Sequence, residues 1–207
     1  MGSRASSGVR QERRAVRPLA RLCRRSAFRR FLPARERDAT VLSATCAAVY
    51  PVLAPLLSGR HTFAETTLLT LVQGLVGLGE GLTPSGDDCL VGLLAVLHVT
   101  SYLPSLCAPA VRTQLCQCVR LGTSQLSGEF VRCALEGHFA EPVVRLMRAL
   151  CTPDTGVWQT HATELAAIGH SSGVDAMVGI VLGCRLARLG AGPGVRQERR
   201  AVRPFLA

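Results

Sequence analysis

The 207 residues suffice for one domain with a sizeable core and appendages. The formal net charge of +10, carried by 24 arginines and no lysine, sits at the ends: residues 1–38 hold a net +9 and residues 191–207 a net +3, whereas 39–190 are slightly acidic. This distribution makes nucleic acid an unfavoured partner for the folded part. The most apolar stretches (68–78, 89–99 and 176–184) fall short of the roughly twenty residues of a membrane span.

The first 38 residues read as an Arg-rich disordered tail. Their segment Gly8–Pro18, GVRQERRAVRP, recurs without change as Gly194–Pro204 in the basic tail 191–207. A perfect repeat at both ends is no solenoid repeat, and it is read as lying outside the fold. An arm binding phosphate backbones is the functional alternative, but beyond Phe28 and Phe31 no aromatic interleaves the arginines. There is no apolar run of the secretory kind, so a cytoplasmic protein is expected. Its nine cysteines form no C-x-x-C pair and are expected as mostly buried thiols, with no metal bound by cysteine.

From residue 39 apolar residues recur at helical spacing. Leu42, Cys46, Val49, Leu53 and Leu57 lie on one stripe of a helix over 39–58, kinked by Pro51 and Pro55. A second helix, 63–76, presents Leu68, Leu71, Val72 and Leu75 to a core and stops at glycines. Residues 77–92, GLGEGLTPSGDDCLVG, form the stretch around which the chain is organised: a glycine-rich corner, then two aspartates, then an apolar run. Ser85 reads as the cap of helix 87–99, with Asp87 and Asp88 in a first turn that favours negative charge. That helix is apolar all round, as expected at the centre of a bundle.

Pro109–Leu121 is predicted helical, with Val111, Leu115, Cys118 and Val119 inward. Thr123–Glu129 leads into a helix with Phe130, Val131, Ala134 and Leu135 on one side. Val143, Leu146, Met147, Leu150 and Cys151 mark an amphipathic helix over 141–151, and Trp158, Ala162, Leu165 and Ala166 another over 155–168. Gly169–Gly173, GHSSG, is a second polar corner, and 174–189 is the last apolar helix. Period-2 alternation is absent over any useful length. The expected fold is all-α, a bundle of seven or eight helices with two buried central helices, occupying 39–190.

The two corners resemble each other. Ser85–Gly92, SGDDCLVG, aligns with Ser172–Gly179, SGVDAMVG, giving S-G-x-D-x-[LM]-V-G with five identities in eight positions. The physical reading is two helix N-termini with matching hydroxyl, amide and carboxylate groups that face each other across a small-molecule site. Free N–H groups, close glycine approach and the hydroxyls of Thr83, Ser85, Ser171 and Ser172 suit a phosphate or carboxylate. There is no Walker lysine and no preceding strand, which excludes a P-loop and a dinucleotide fingerprint.

Asp87 and Asp88 repel an anion unless they turn away, bridge through a cation, or accept protons from a neutral group such as a ureido NH₂. Asp87, Asp88, Asp175 and His170 together admit Mg²⁺, although no spacing enforces that geometry, and no cofactor is firmly implied. His170 is also a candidate proton carrier. Ser127, followed by Glu129, reads as a capping group first and a third site element second. The plainer alternative has these groups cap two helices, with Asp88 and Asp175 bonding the loop backbone. Capping alone, however, does not require Gly77, Gly79, Gly81 and Gly86. The candidate binding set is Gly79, Gly81, Thr83, Ser85, Gly86, Asp87, Asp88, Ser127, His170, Ser171, Ser172, Gly173 and Asp175; no residue is singled out as catalytic.

The run GLGEGLTPSGDDCLVGLL from Gly77 resembles the signature of a family once labelled a domain of unknown function and associated with a subunit of oxamate carbamoyltransferase, the AllH-like family. Gly169–Gly179 and Ser127–Gly137 resemble further family segments in order, and the resemblance spans roughly 40–190. It implies a role in anaerobic purine degradation: phosphorolysis of oxalurate to oxamate and carbamoyl phosphate by a complex of several subunits. The other subunits and a small anionic substrate are then the expected partners. The sequence departs from the family at its front, where members carry a β-containing region, and at Cys89, where they more often have an aromatic. Those departures imply a truncated copy; a non-catalytic helical assembly or ligand-binding module is the alternative reading.

Overall fold

The structure, a computed structural model, describes residues 65–100, 108–152 and 157–190. The expected helix at 39–58 and both basic tails lie outside them. Among the described residues there are seven helices and no strand, so the all-α expectation holds. They are α1 (Glu65–Leu75), α2 (Ser85–Val99), α3 (Pro109–Gly122), α4 (Gln125–Glu136), α5 (Glu141–Cys151), α6 (Trp158–Ala166) and α7 (Ser172–Gly190). None is long and apolar enough to cross a membrane.

The two central helices are α2 and α7. From Gly86 to Leu97 nearly every residue of α2 is buried, as its all-round apolar sequence requires. In α7 Met177, Val178, Ile180 and Val181 are wholly excluded from solvent. Glycines let the two backbones touch. A Cβ added at Gly92 would lie 1.9 Å from the Ala176 carbonyl oxygen, and one added at Gly179 would lie 1.9 Å from that of Cys89. Further along, a Cβ at Gly183 would meet Val96 Cβ at 2.6 Å. Neighbours on the two helices therefore advance together: the helices are parallel, and their N-termini share one end of the molecule.

The other helices jacket this pair. The face of α1 formed by Leu68, Leu71, Val72 and Leu75 is fully buried, and α1 packs on α2 and α3. Helix α4 lies on α2, α5 on α2 and α6, and α6 on α7. In α4 the inward stripe is Val131, Ala134 and Leu135, while Phe130, expected beside them, is about half exposed at 51%. The stripe instead continues one turn earlier through the buried Ser127. Helix α4 ends at Gly137, whose φ of 92° is the left-handed cap that glycine supplies without strain.

Candidate functional site

Both polar corners are built in the same way. In the first, Leu78 N–H donates to Leu75 O at 3.0 Å, closing α1, and Gly86 N–H donates back to Leu78 O at 2.8 Å, opening α2. Between these bonds the chain turns through Gly77 (φ 71°) and Gly79 (φ 118°), backbone angles that side chains rarely adopt. In the second, Ile168 N–H donates to Leu165 O and Gly173 N–H to Ile168 O, both at 3.1 Å, with Gly169 at φ 62°. Gly86 and Gly173 are irreplaceable for the same reason. A Cβ on either would fall 2.0 Å or less from the carbonyl oxygen of Leu75 or Leu165, the last inward residue of the preceding helix.

The corners meet. Thr83 Oγ1 and Ser172 Oγ are 3.0 Å apart although 89 residues separate them. Both hydroxyls reach Asp88, in the first turn of α2, and Asp175 of α7 is close enough to act on its charge. Burial pushes the Asp88 carboxyl up to about 6 from an ordinary 3.8; hydrogen bonds from Ser172 and Thr83 oppose the rise, and the charges of Asp175 and Asp87 add to it. Its Oδ2 is sealed from solvent and has no hydrogen-bond partner among the described residues. Asp175 itself is fully buried.

Asp87 has a different task. Its Oδ1 accepts from Gly77 N–H at 2.9 Å, and its Oδ2 accepts from Ser127 Oγ at 2.7 Å and from the Thr123 hydroxyl. One buried carboxylate thus ties the glycine corner to the start of α4. Ser124 adds a second tie: as the cap of α4 its Oγ accepts from Ser127 N–H at 3.1 Å and donates to Leu82 O at 2.8 Å. Asp87 thus bonds the loop backbone, a role that the capping alternative gave to Asp88 and Asp175. Ser127, through its bond to Asp87, is part of this support.

Ser85 is the first residue of α2, not its cap; that place falls to Pro84, which makes no side-chain cap bond. Ser171 contributes its carbonyl to Asp175 N–H at 2.8 Å. Gly79 fits tightly, since a Cβ there would sit 2.9 Å from Ser85 N, but Gly81 lies at the exposed tip with nothing within 4 Å. His170 is exposed. Among the described residues no three His, Cys, Asp or Glu side chains gather in a way that could hold a metal, so Asp87, Asp88, Asp175 and His170 do not make the Mg²⁺ cage that the sequence admitted. Thr123 and Ser124 escaped sequence reading as site supports; Ser124, three residues before Ser127 and just ahead of an amphipathic run, was the available signal.

The Asp88 environment has a measurable consequence. A carboxyl whose folded pKa lies above its unfolded value stabilises the fold fully below pH 3.8, and the contribution is lost as pH rises through about 6. At pH 7.5 the folded state carries a costly charge that Asp88→Asn removes. After discounting for partial exposure, the variant is expected to be more stable than the parent by about 1–2 kcal/mol at pH 7.5, with the gap closing by pH 4–5. Thermal melts across that pH range check this; a less stable Asn variant at pH 7.5 contradicts it.

Fold and site together define an all-α protein in which two glycine-shaped corners converge at the paired N-termini of parallel core helices, around the half-buried carboxyl of Asp88. Residues 75–184, from the end of α1 to most of α7, match the family model described as oxamate carbamoyltransferase subunit AllH, and the chain belongs to this family. No solved structure matches it.

Proposed function

We propose that the chain is a subunit of a carbamoyltransferase complex acting on oxalurate and phosphate, yielding oxamate and carbamoyl phosphate, with other subunits as partners in a cytoplasmic setting. Its own share is a small-molecule site between corners 77–88 and 169–175. The observation that carries the reading is the meeting of Thr83, Ser172, Asp88 and Asp175 at two helix N-termini. Most N–H groups of the two first turns already donate to the corner backbone, so the hydroxyls of Thr83 and Ser172 are the groups that suit the oxygens of a carboxylate or phosphate. A carboxylate beside them suits the N–H hydrogens of a carbamoyl or ureido group, and Asp88 Oδ2 is an acceptor with no donor among the described residues. Family membership supports the reaction class, and the chemistry of the two corners fits molecules that are amide at one end and acid at the other.

Reconstitution with the remaining subunits of such a complex tests this. The parent chain is expected to support release of carbamoyl phosphate from oxalurate and phosphate. Thr83→Ala and Ser172→Ala are expected to lower the rate roughly tenfold each while costing only a few degrees of unfolding temperature, because each removes one hydroxyl from the meeting point. Full activity in both variants would move the site elsewhere.

A further inference from the structure

The short sequence likeness between the two corners extends into a symmetry of the packing. A shift of 87 residues turns Cys89, Gly92, Leu93 and Val96 into Ala176, Gly179, Ile180 and Gly183. The contacts obey the same shift with the helices exchanged. A Cβ on Gly92 would lie 1.9 Å from Ala176 O and 3.0 Å from Ile180 N, and one on Gly179 would lie 1.9 Å from Cys89 O and 2.8 Å from Leu93 N. Gly183 meets Val96, its own counterpart, as two positions on an axis must. Reciprocal pairs and a self-pair are the pattern of an isologous interface, here formed within one chain.

The corners preceding these helices match as well. Leu75, Leu78 and Gly86 make the same two backbone hydrogen bonds as Leu165, Ile168 and Gly173. They also make the same close approach of the glycine to the end of the preceding helix. We infer that α1–corner–α2 and α6–corner–α7 are two copies of one helix–corner–helix unit, related by a two-fold axis running lengthwise between α2 and α7. Asp88 and Asp175 then occupy matched positions, and the candidate site lies on the axis. The copies differ where the first corner is three residues longer between its backbone hydrogen bonds, eight steps from Leu78 to Gly86 against five from Ile168 to Gly173, and this is where Leu82 stands exposed.

Exchange across the axis tests the inference in the full chain. If Val96 and Gly183 are true counterparts, Val96→Gly with Gly183→Val returns the same side chain to the same space from the opposite helix. The double exchange is expected to melt cooperatively within about 5 °C of the parent, whereas Gly183→Val alone loses its cooperative transition. Val96→Ala with Gly183→Ala is the milder companion and is expected to melt above Gly183→Ala alone. Double variants no more stable than their Gly183 singles would overturn the two-fold relation, as would a Gly183→Val single that melts like the parent.

Discussion

Gly179→Ala in the full chain is expected to destroy cooperative folding, and Gly92→Ala to do nearly the same. Each new methyl would be placed 1.9 Å from a backbone carbonyl oxygen of the facing helix. No flexible side chain can turn aside, so α2 and α7 must separate along the most extensive helix–helix interface among the described residues. Separation opens gaps beside Leu90, Leu93, Met177 and Ile180, all buried. The cost is on the order of 3–5 kcal/mol for each glycine, a large share of the roughly 5–15 kcal/mol that holds a domain together. Gly81→Ala is the contrast: its φ of 93° makes it strained, but nothing lies within 4 Å. It is expected to cost about 1 kcal/mol. Denaturant unfolding of the three variants ranks them, and equal losses would mean that the close helix contact does not exist.

Asp87→Ala is the second large effect, and its sign is opposite to that of Asp88→Asn. Asp87 is 1% exposed and receives hydrogen bonds from Gly77 N–H, Ser127 Oγ and the Thr123 hydroxyl. Truncation strands three donors in a place that water reaches poorly and unties the glycine corner from α4. A loss of about 3–5 kcal/mol is expected, larger than for Thr123→Ala or Ser127→Ala alone, each of which removes one donor and leaves the acceptor occupied by the others. Adjacent aspartates thus divide the work: Asp87 is held by the fold, and Asp88 is tolerated by it. Equilibrium unfolding at pH 7.5 reads both signs in one experiment, and a stable Asp87→Ala variant would show that the tie carries no weight.

This division is where sequence reading stops. Helical periodicity sufficed to find α1, α2, α5 and α7 and to predict that α2 is buried on every side, because that information lies in the spacing of Leu, Val and Ala. The S-G-x-D motif sufficed to pair the corners. It did not distinguish Asp87 from Asp88, since neighbouring residues on a helix point some 100° apart and only the position of α4 decides which one meets donors. Phe130 was misplaced for a similar reason: Val131, Ala134 and Leu135 define the inward face without it, and Ser127, a polar residue, completes the stripe because Asp87 waits beneath. Gly92 and Gly179 were visible as letters of the motif, but their purpose, contact between two backbones, depends on a partner helix 87 residues away.

Calorimetric titration of oxamate and of carbamoyl phosphate into the full chain, beside Ser172→Ala and Asp88→Asn, tests most directly whether the converging corners hold a small molecule. The account predicts saturable binding of at least one of them with one site per chain, weakened about fivefold or more by either substitution, as expected when one or two hydrogen bonds are lost. Binding that neither substitution changes, or no binding of either compound, would contradict it.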